Sequence, residues 1–344
     1  MKFKAAILVE TESPLVVDYI SPRPLTDGQV LVKISRSGIC GSQLFEVSGQ
    51  RGPDRFLPHL LGHEATAVVC EVGPGVSTVA PGDHVVLTWI RTQHGISANP
   101  ASYDWEGKTV NGGRVTTFSE FSVVSEDRCL RMDRLLLDSV GPAIGCALAT
   151  GFGMTIINHE DFSSKRVGVV GIGGIGMSVL LGLTIQSPDQ VIAIDTNEAR
   201  LLESKVLGVK HTINPLVSDV VHNVSTLTDG KMLDYVFDCS GSVLALESAL
   251  NLIHNKGLVK FATHPKHGDM LRIDPFQLIL GKRIEGSWGG GVVPDLHYNY
   301  IANTAYRNPD FLSLYNSSYY CLDDINVALA DMQCGLVMRP VIRF

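Results

Sequence analysis

The chain has 344 residues, of which 35 are acidic and 28 are Lys or Arg, giving a net charge of -7 and a pI near 5.9. That length accommodates two domains with substantial cores, and the apolar content of 45% is that of a folded globular protein. No Lys/Arg block stands out to neutralise phosphates, which excludes nucleic acid and anionic membranes and leaves small molecules, or copies of the chain, as expected partners.

The opening stretch from Met1 to Glu10 is interrupted by charge too soon for a signal peptide. No apolar run reaches membrane-spanning length, so a cytoplasmic protein is expected. Seven cysteines, odd in number and dispersed along the chain, argue against a disulfide framework. Reduced thiols are then available to a metal.

To about residue 147 the chain reads as short strands, at 29–34, 67–72 and 84–88, separated by turn signals at Thr26-Asp27-Gly28, Gly73-Pro74-Gly75 and Pro81-Gly82-Asp83. A compact β domain is expected there. From about residue 148, continuous apolar strands at 166–170, 190–195, 233–238 and 257–261 alternate with helical stretches, the pattern of a parallel sheet covered on both faces. The fold class is therefore α/β.

The strand at 167–170 runs into Gly171-Ile172-Gly173-Gly174-Ile175-Gly176 and then an apolar helix, the strand–turn–helix context in which GxGxxG cradles a pyrophosphate. Gly171 makes the turn, Gly173 lets the backbone approach the phosphate, and Gly176 lets the helix pack closely. Asp195, nineteen residues past Gly176, ends the next strand where a carboxylate accepts hydrogen bonds from an adenosine ribose and repels a 2′-phosphate. NAD rather than NADP is expected.

Upstream, Cys40, His63 and Cys146 supply the three soft or borderline ligands that a catalytic zinc needs, with one position left open. The flanking turns Gly38-Ile39-Cys40-Gly41-Ser42 and Leu61-Gly62-His63-Glu64 put candidate ligands at loop edges. Glu64 can tune that site. The remaining cysteines sit beside apolar stretches without CxxC spacing and read as structural. His59 is the other histidine near these loops.

At these residues the chain resembles the zinc-dependent medium-chain alcohol and polyol dehydrogenases, in the subgroup that lacks the structural zinc. The likeness implies a GroES-like, β-rich catalytic domain at 1–147 and 288–344 with an inserted Rossmann domain at 148–287, the active site lying in the cleft. It implies Cys40, His63 and Cys146 as ligands of one catalytic zinc per chain, and Ser42 as the hydroxyl that takes the substrate proton while hydride passes to NAD. It further implies Thr150 near the nicotinamide, Gly171, Gly173, Gly174, Ile175 and Gly176 at the pyrophosphate, Asp195 and Arg200 at the ribose, Arg339 as a basic pyrophosphate contact, and Trp89, Phe45 and Trp288 in the substrate pocket. Pairing of strands around residues 283–288 implies a homodimer or homotetramer.

The chain departs from that pattern in four places. Residues 71–128 contain no cysteine, so the structural zinc is not expected, and His94 to Glu106 forms instead a polar and aromatic loop that borders the substrate or a subunit contact or is a plain surface loop. Gln43 stands where many members have an aspartate that orients the zinc-bound histidine. Phe45 stands where many have a proton-passing histidine, which leaves His59 or an ordered water to complete the relay. The expected substrate is a polyol, cyclitol or sugar-derived secondary alcohol; the alternatives are a simple aliphatic or aromatic alcohol, or a non-catalytic NAD-binding sensor.

Overall fold

The apolar runs near the N-terminus become the strands Gln29–Gly38, Ala65–Val72 and His84–Leu87 in a computed structural model that describes residues 1–157, 161–315 and 317–344. Two units form, one from Met1–Cys146 with Val293–Phe344 and the other from Ala147–Val292.

In the first unit Gln29–Gly38 is the central strand. It pairs antiparallel with Ala65–Val72, with Phe121–Ser125 and with the C-terminal strand Pro340–Arg343. Among the described residues the sheet has seven strands, and a second group, Phe3–Leu8, Val16–Pro22, Ser102–Trp105, Lys108–Asn111 and His59–Leu60, closes into a barrel. The two-residue period sends Val30, Val32 and Ile34 into one core with Ala65, Ala67, Val85 and Leu87, and Leu31 into another with Phe3, Ile20, Tyr103 and Val110. Burial on both faces suits a strand that carries a ligand loop at its end.

The stretch expected as a loop at 94–106 is partly sheet. Ser102–Trp105 and Lys108–Asn111 form a hairpin that joins the barrel to Val16–Pro22. Tyr103 is fully buried, its hydroxyl accepting the Val123 N–H at 2.8 Å, and the Trp105 indole donates to Asp18 at 2.8 Å. The aromatics that suggested a binding loop are therefore core and barrel residues. Four residues per strand are too few for alternation to reveal itself in the sequence.

The remainder of that segment is held by carboxylates. Glu126, fully buried, accepts the backbone N–H groups of Ser77, Thr78 and Ile96, each at 2.7 Å, and the Thr78 hydroxyl at 2.9 Å. Asp127 beside it accepts from Ser125 at 2.6 Å and from Arg91 at 2.9 Å.

In the second unit the strands His211–Ile213, Gln190–Ile194, Arg166–Val170, Leu233–Asp238, Ile253–Phe261 and Arg283–Gly286 lie side by side in that order, all parallel. The order places the first strand of the unit at the centre, with the chain reversing its direction of travel across the sheet beside it, which is where such sheets bind nucleotides. Ile192, Ile194, Val236, Val259 and Leu250 fill one face. No helix among the described residues is long and apolar enough to cross a membrane.

Candidate active site

The site in the first unit is assembled from three element ends. Cys40 caps the helix Gly41–Val47, His63 lies between His59–Leu60 and Ala65–Val72, and Cys146 ends the short helix Pro142–Gly145. Their ligand atoms all lie within 4.8 Å of one another. His63 Nε2 is 3.1 Å from Cys146 Sγ, and the two sulfurs are 3.9 Å apart. A tetrahedral zinc, with bonds of about 2.3 Å to sulfur and about 2.0 Å to nitrogen, sets these edges at roughly 3.6 and 3.8 Å. The two edges lie within about half an ångström of those values, and the three donors are of the type and proximity that a zinc takes.

The thiols behave as one titrating pair. Cys40 is held well below the usual thiol value because Cys146 hydrogen-bonds to it; His63 and Arg339 assist, and burial opposes. Cys146 is pushed up correspondingly, by Cys40 first and then by burial, while the Trp89 indole pulls it down. A metal held here would require both sulfurs as thiolates.

Around the cluster, Glu64 is fully buried and ion-paired with Arg339. A side chain at Gly38 or at Gly145 would collide with Glu64 or with the Leu87 carbonyl, so both glycines make room for this packing. Arg339, expected at the pyrophosphate, is here buried between Glu64 and the Cys40 sulfur. Thr88 Oγ1 donates to the Gly145 carbonyl at 2.8 Å and lies 2.7 Å from the buried Tyr298 hydroxyl, which together fix the loop that presents Cys146. Tyr298 was not legible in the sequence, being 210 residues from Thr88.

Ser42, on the first turn after Cys40, has its Oγ buried and without a partner among the described residues. Phe45 is half-buried on the same helix. His59 takes a different post from the relay proposed for it. Its Nε2 is 2.7 Å from Asp54 and its Nδ1 donates to the Leu60 carbonyl at 2.9 Å, so both nitrogens are committed to the local turn. Gln43 does reach His63, but with its amide nitrogen, 2.8 Å from Nδ1; the oxygen that was expected to accept from the ring takes the Cys40 N–H instead.

In the second unit Gly171 has φ +82, and a Cβ there would press on the Ser240 backbone. Gly173 caps the helix Gly174–Gln186, and a Cβ on it would meet nothing within 4 Å. Protein packing does not demand that glycine; it leaves open space at a helix N-terminus, where backbone N–H groups and the helix dipole favour a phosphate. Asp195 reaches back to the Ile172 N–H at 2.5 Å and accepts the Asn197 N–H at 2.8 Å, tying the glycine loop to the end of its strand. Arg200 is buried and paired with Glu203 at 2.8 Å. Thr150 is buried on the helix Ala147–Ile156, its hydroxyl without a partner among the described residues, while Trp288 stands 81% exposed.

A thiol–imidazole cluster fit for zinc and a glycine-loop nucleotide cradle on one chain define a metal-dependent nucleotide oxidoreductase. Residues 26–134 match the alcohol dehydrogenase GroES-like domain and residues 171–304 match the zinc-binding dehydrogenase domain. Over the full length of both chains the protein is 30% identical to S-(hydroxymethyl)glutathione dehydrogenase of Synechocystis sp., and it is 29% identical to alcohol dehydrogenase class-3 of Dictyostelium discoideum, covering 98% of this chain and 97% of that one. Among solved structures, benzyl alcohol dehydrogenase from Acinetobacter calcoaceticus superposes with a TM-score of 0.87 at 23% identity, covering 100% of this chain and 99% of that one. An alcohol dehydrogenase zinc-binding domain protein from Burkholderia ambifaria gives 0.85 at 25% identity with the same coverage. The chain belongs to the zinc-dependent medium-chain alcohol dehydrogenase family. It is a zinc- and NAD-dependent alcohol dehydrogenase of GroES-like and Rossmann construction.

Proposed function

We propose that Cys40, His63 and Cys146 hold the zinc with one position open to substrate, and that the substrate is a polyol, cyclitol or sugar-derived secondary alcohol interconverted with its ketone. One observation carries the substrate class, namely the run of buried polar groups after Cys40. Ser42 Oγ, Ser48 Oγ and Gln50 Oε1 are buried without partners among the described residues. Burial also pushes the Glu46 carboxyl up, against the pull of His63, Arg51 and His59. Each unpaired buried group costs about 1–3 kcal/mol, which a hydroxyl-rich substrate offsets and an aliphatic one does not.

Bound zinc supplies Lewis acidity that brings an alcohol toward neutral pKa, and NAD supplies the hydride acceptor. Ser42 takes the hydroxyl proton. Glu64, Arg339, Thr88 and Tyr298 hold the ligand loops, and Trp89 walls the site beside Cys146. The N–H groups following Gly173 receive the pyrophosphate, and the free lone pairs of Asp195 receive the adenosine ribose hydroxyls.

A substrate panel tests this. Polyols and cyclitols should exceed 1-butanol and benzyl alcohol in kcat/KM by roughly 10²-fold or more, since a site built to pair hydroxyls rejects analogues without them. A preference for benzyl alcohol, or for S-(hydroxymethyl)glutathione, the compound in the name of the Synechocystis relative, would sink the polyol reading.

For assembly we propose a homodimer built on the edge strand Arg283–Gly286. It pairs on one side with Ile253–Phe261 and, among the described residues, with nothing on the other. Trp288, two residues past its end, is 81% exposed, and Phe276 and Ile279 on the preceding helix Pro275–Ile279 are 58% and 78% exposed. An open strand edge among exposed apolar side chains favours pairing about a twofold axis. Sedimentation should give a dimer that Ile279→Glu combined with Phe276→Glu converts to monomer; a wild-type monomer rules the proposal out.

A further inference from the structure

Gln43 lies on the first turn of the helix Gly41–Val47, 1% exposed, with its amide between the Cys40 backbone and the His63 ring. Its Oε1 accepts the Cys40 N–H at 2.9 Å, and its Nε2 stands 2.8 Å from His63 Nδ1. The Cys40 N–H can only donate, so it assigns the oxygen, and the NH₂ end is left facing the ring. The other ring nitrogen, Nε2, faces the thiols, 3.1 Å from Cys146 Sγ. With a neutral His63 carrying its proton on Nε2, every group is matched: Nε2–H donates toward sulfur and Nδ1 accepts from the Gln43 amide.

Metal binding disturbs that match. A neutral imidazole that ligates through Nε2 carries its proton on Nδ1. That proton then meets the Gln43 NH₂, donor against donor. Turning the amide over gives the ring an acceptor and moves the same conflict to the Cys40 N–H. Two backbone or ring donors converge on a side chain with one acceptor atom; a carboxylate at this position would offer two.

Resting on the zinc assignment above, we infer that Gln43 is a positioning residue that lowers zinc affinity, because it satisfies the metal-free tautomer of His63 and cannot satisfy the metal-bound one. On loading, the amide turns over. The His63 N–H, polarised by a dication, is the stronger donor, and the Cys40 N–H at a half-buried helix cap is the cheaper one to leave. The zinc of this chain is consequently more exchangeable than its ligand set alone would make it.

Competition with a chromophoric chelator tests the inference on the full chain. Gln43→Glu, nearly isosteric and with two acceptors, should bind zinc about tenfold tighter or more. Gln43→Met removes the conflict and the acceptor together and should stay close to wild type. Unchanged or weaker binding in Gln43→Glu, or a tenfold loss in Gln43→Met, overturns the inference, and the second variant decides alone if the first does not fold. Exchange of the Cys40 amide hydrogen separates donor matching from added charge: it should quicken when wild-type protein is loaded with zinc, and slowing overturns the amide reversal. Failure of the zinc assignment itself would show differently, as wild-type protein that takes up no zinc, which removes the basis of both claims.

Discussion

The thiol–imidazole cluster and the carboxylates at Glu126 and Asp127 are both buried assemblies of charge in the first unit, yet they are finished differently. Glu126 has four donors on its two oxygens, all supplied by the chain. Cys40, His63 and Cys146 converge on one another, with Gln43 on the far nitrogen of the ring and Arg339 beside the Cys40 sulfur. The first assembly is closed and serves to fasten the 75–78 and 94–98 turns. The second is the donor set of a cation, and Ser42 Oγ near it is buried without a partner among the described residues. Glu126 is satisfied by the chain itself, whereas the thiol–imidazole set is arranged for a partner from outside it.

The comparison breaks most sharply at Cys40. Cys40→Ser should lose bound zinc and lower kcat at least about 10³-fold, the several kcal/mol that a Lewis acid contributes, while NAD still quenches tryptophan fluorescence as in wild type. Comparable turnover in that variant would refute the mechanism. Next in size is Arg339→Gln, which leaves Glu64 buried and unpaired and should cost about 3 kcal/mol in urea unfolding.

Glu126→Gln sharpens the contrast from the other side. It should cost about 2 kcal/mol of stability with zinc content unchanged. Burial raises the Glu126 pKa, but hydrogen bonds from Ile96, Ser77 and Thr78 outweigh it and the net direction is downward. A carboxyl depressed in the folded state stabilises above its unfolded value, 4.5, and that contribution is lost as pH falls from there through the folded value. Wild type should therefore lose its advantage over Glu126→Gln in acid, as followed by circular dichroism.

The smallest effect has the opposite sign. Asp238, buried at the end of Leu233–Asp238, receives two Ser240 donors on one oxygen and, among the described residues, none on the other, and burial pushes it up to about 6. A carboxyl raised above its unfolded value of 3.8 costs stability as pH climbs through about 6. Asp238→Asn should melt slightly higher than wild type near neutral pH and no higher in acid. A lower melting temperature near neutrality would show that the ionised carboxylate has a partner.

What the sequence disclosed was local. The glycine loop, Cys40 and His63 each sit in a turn whose residue types suggest their chemistry within five or six positions, and Asp195 is read from its place at the end of the next strand. What it hid was pairing across distance: Glu64 with Arg339 spans 275 residues, and Thr88 with Tyr298 spans 210. Gln43 marks the boundary between the two. Its identity was informative at once, whereas its amide's orientation depends on a neighbour in space, the His63 ring, that no periodicity encodes. The strands at 102–105 and 108–111 were missed for a related reason, since their burial is decided by the barrel they complete.

The return of the chain at Pro340–Arg343 has a consequence for the order of events at the ribosome. The second unit is one continuous stretch and can fold as soon as residue 292 has emerged. The first unit cannot complete the pairing of its central strand with Pro340–Arg343, or give Glu64 its counter-ion, until those residues are out. For most of synthesis, then, the thiols at 40 and 146 belong to a half-built sheet, and the window in which they are open to oxidation or to the wrong metal is set by the time needed to translate the nucleotide-binding unit.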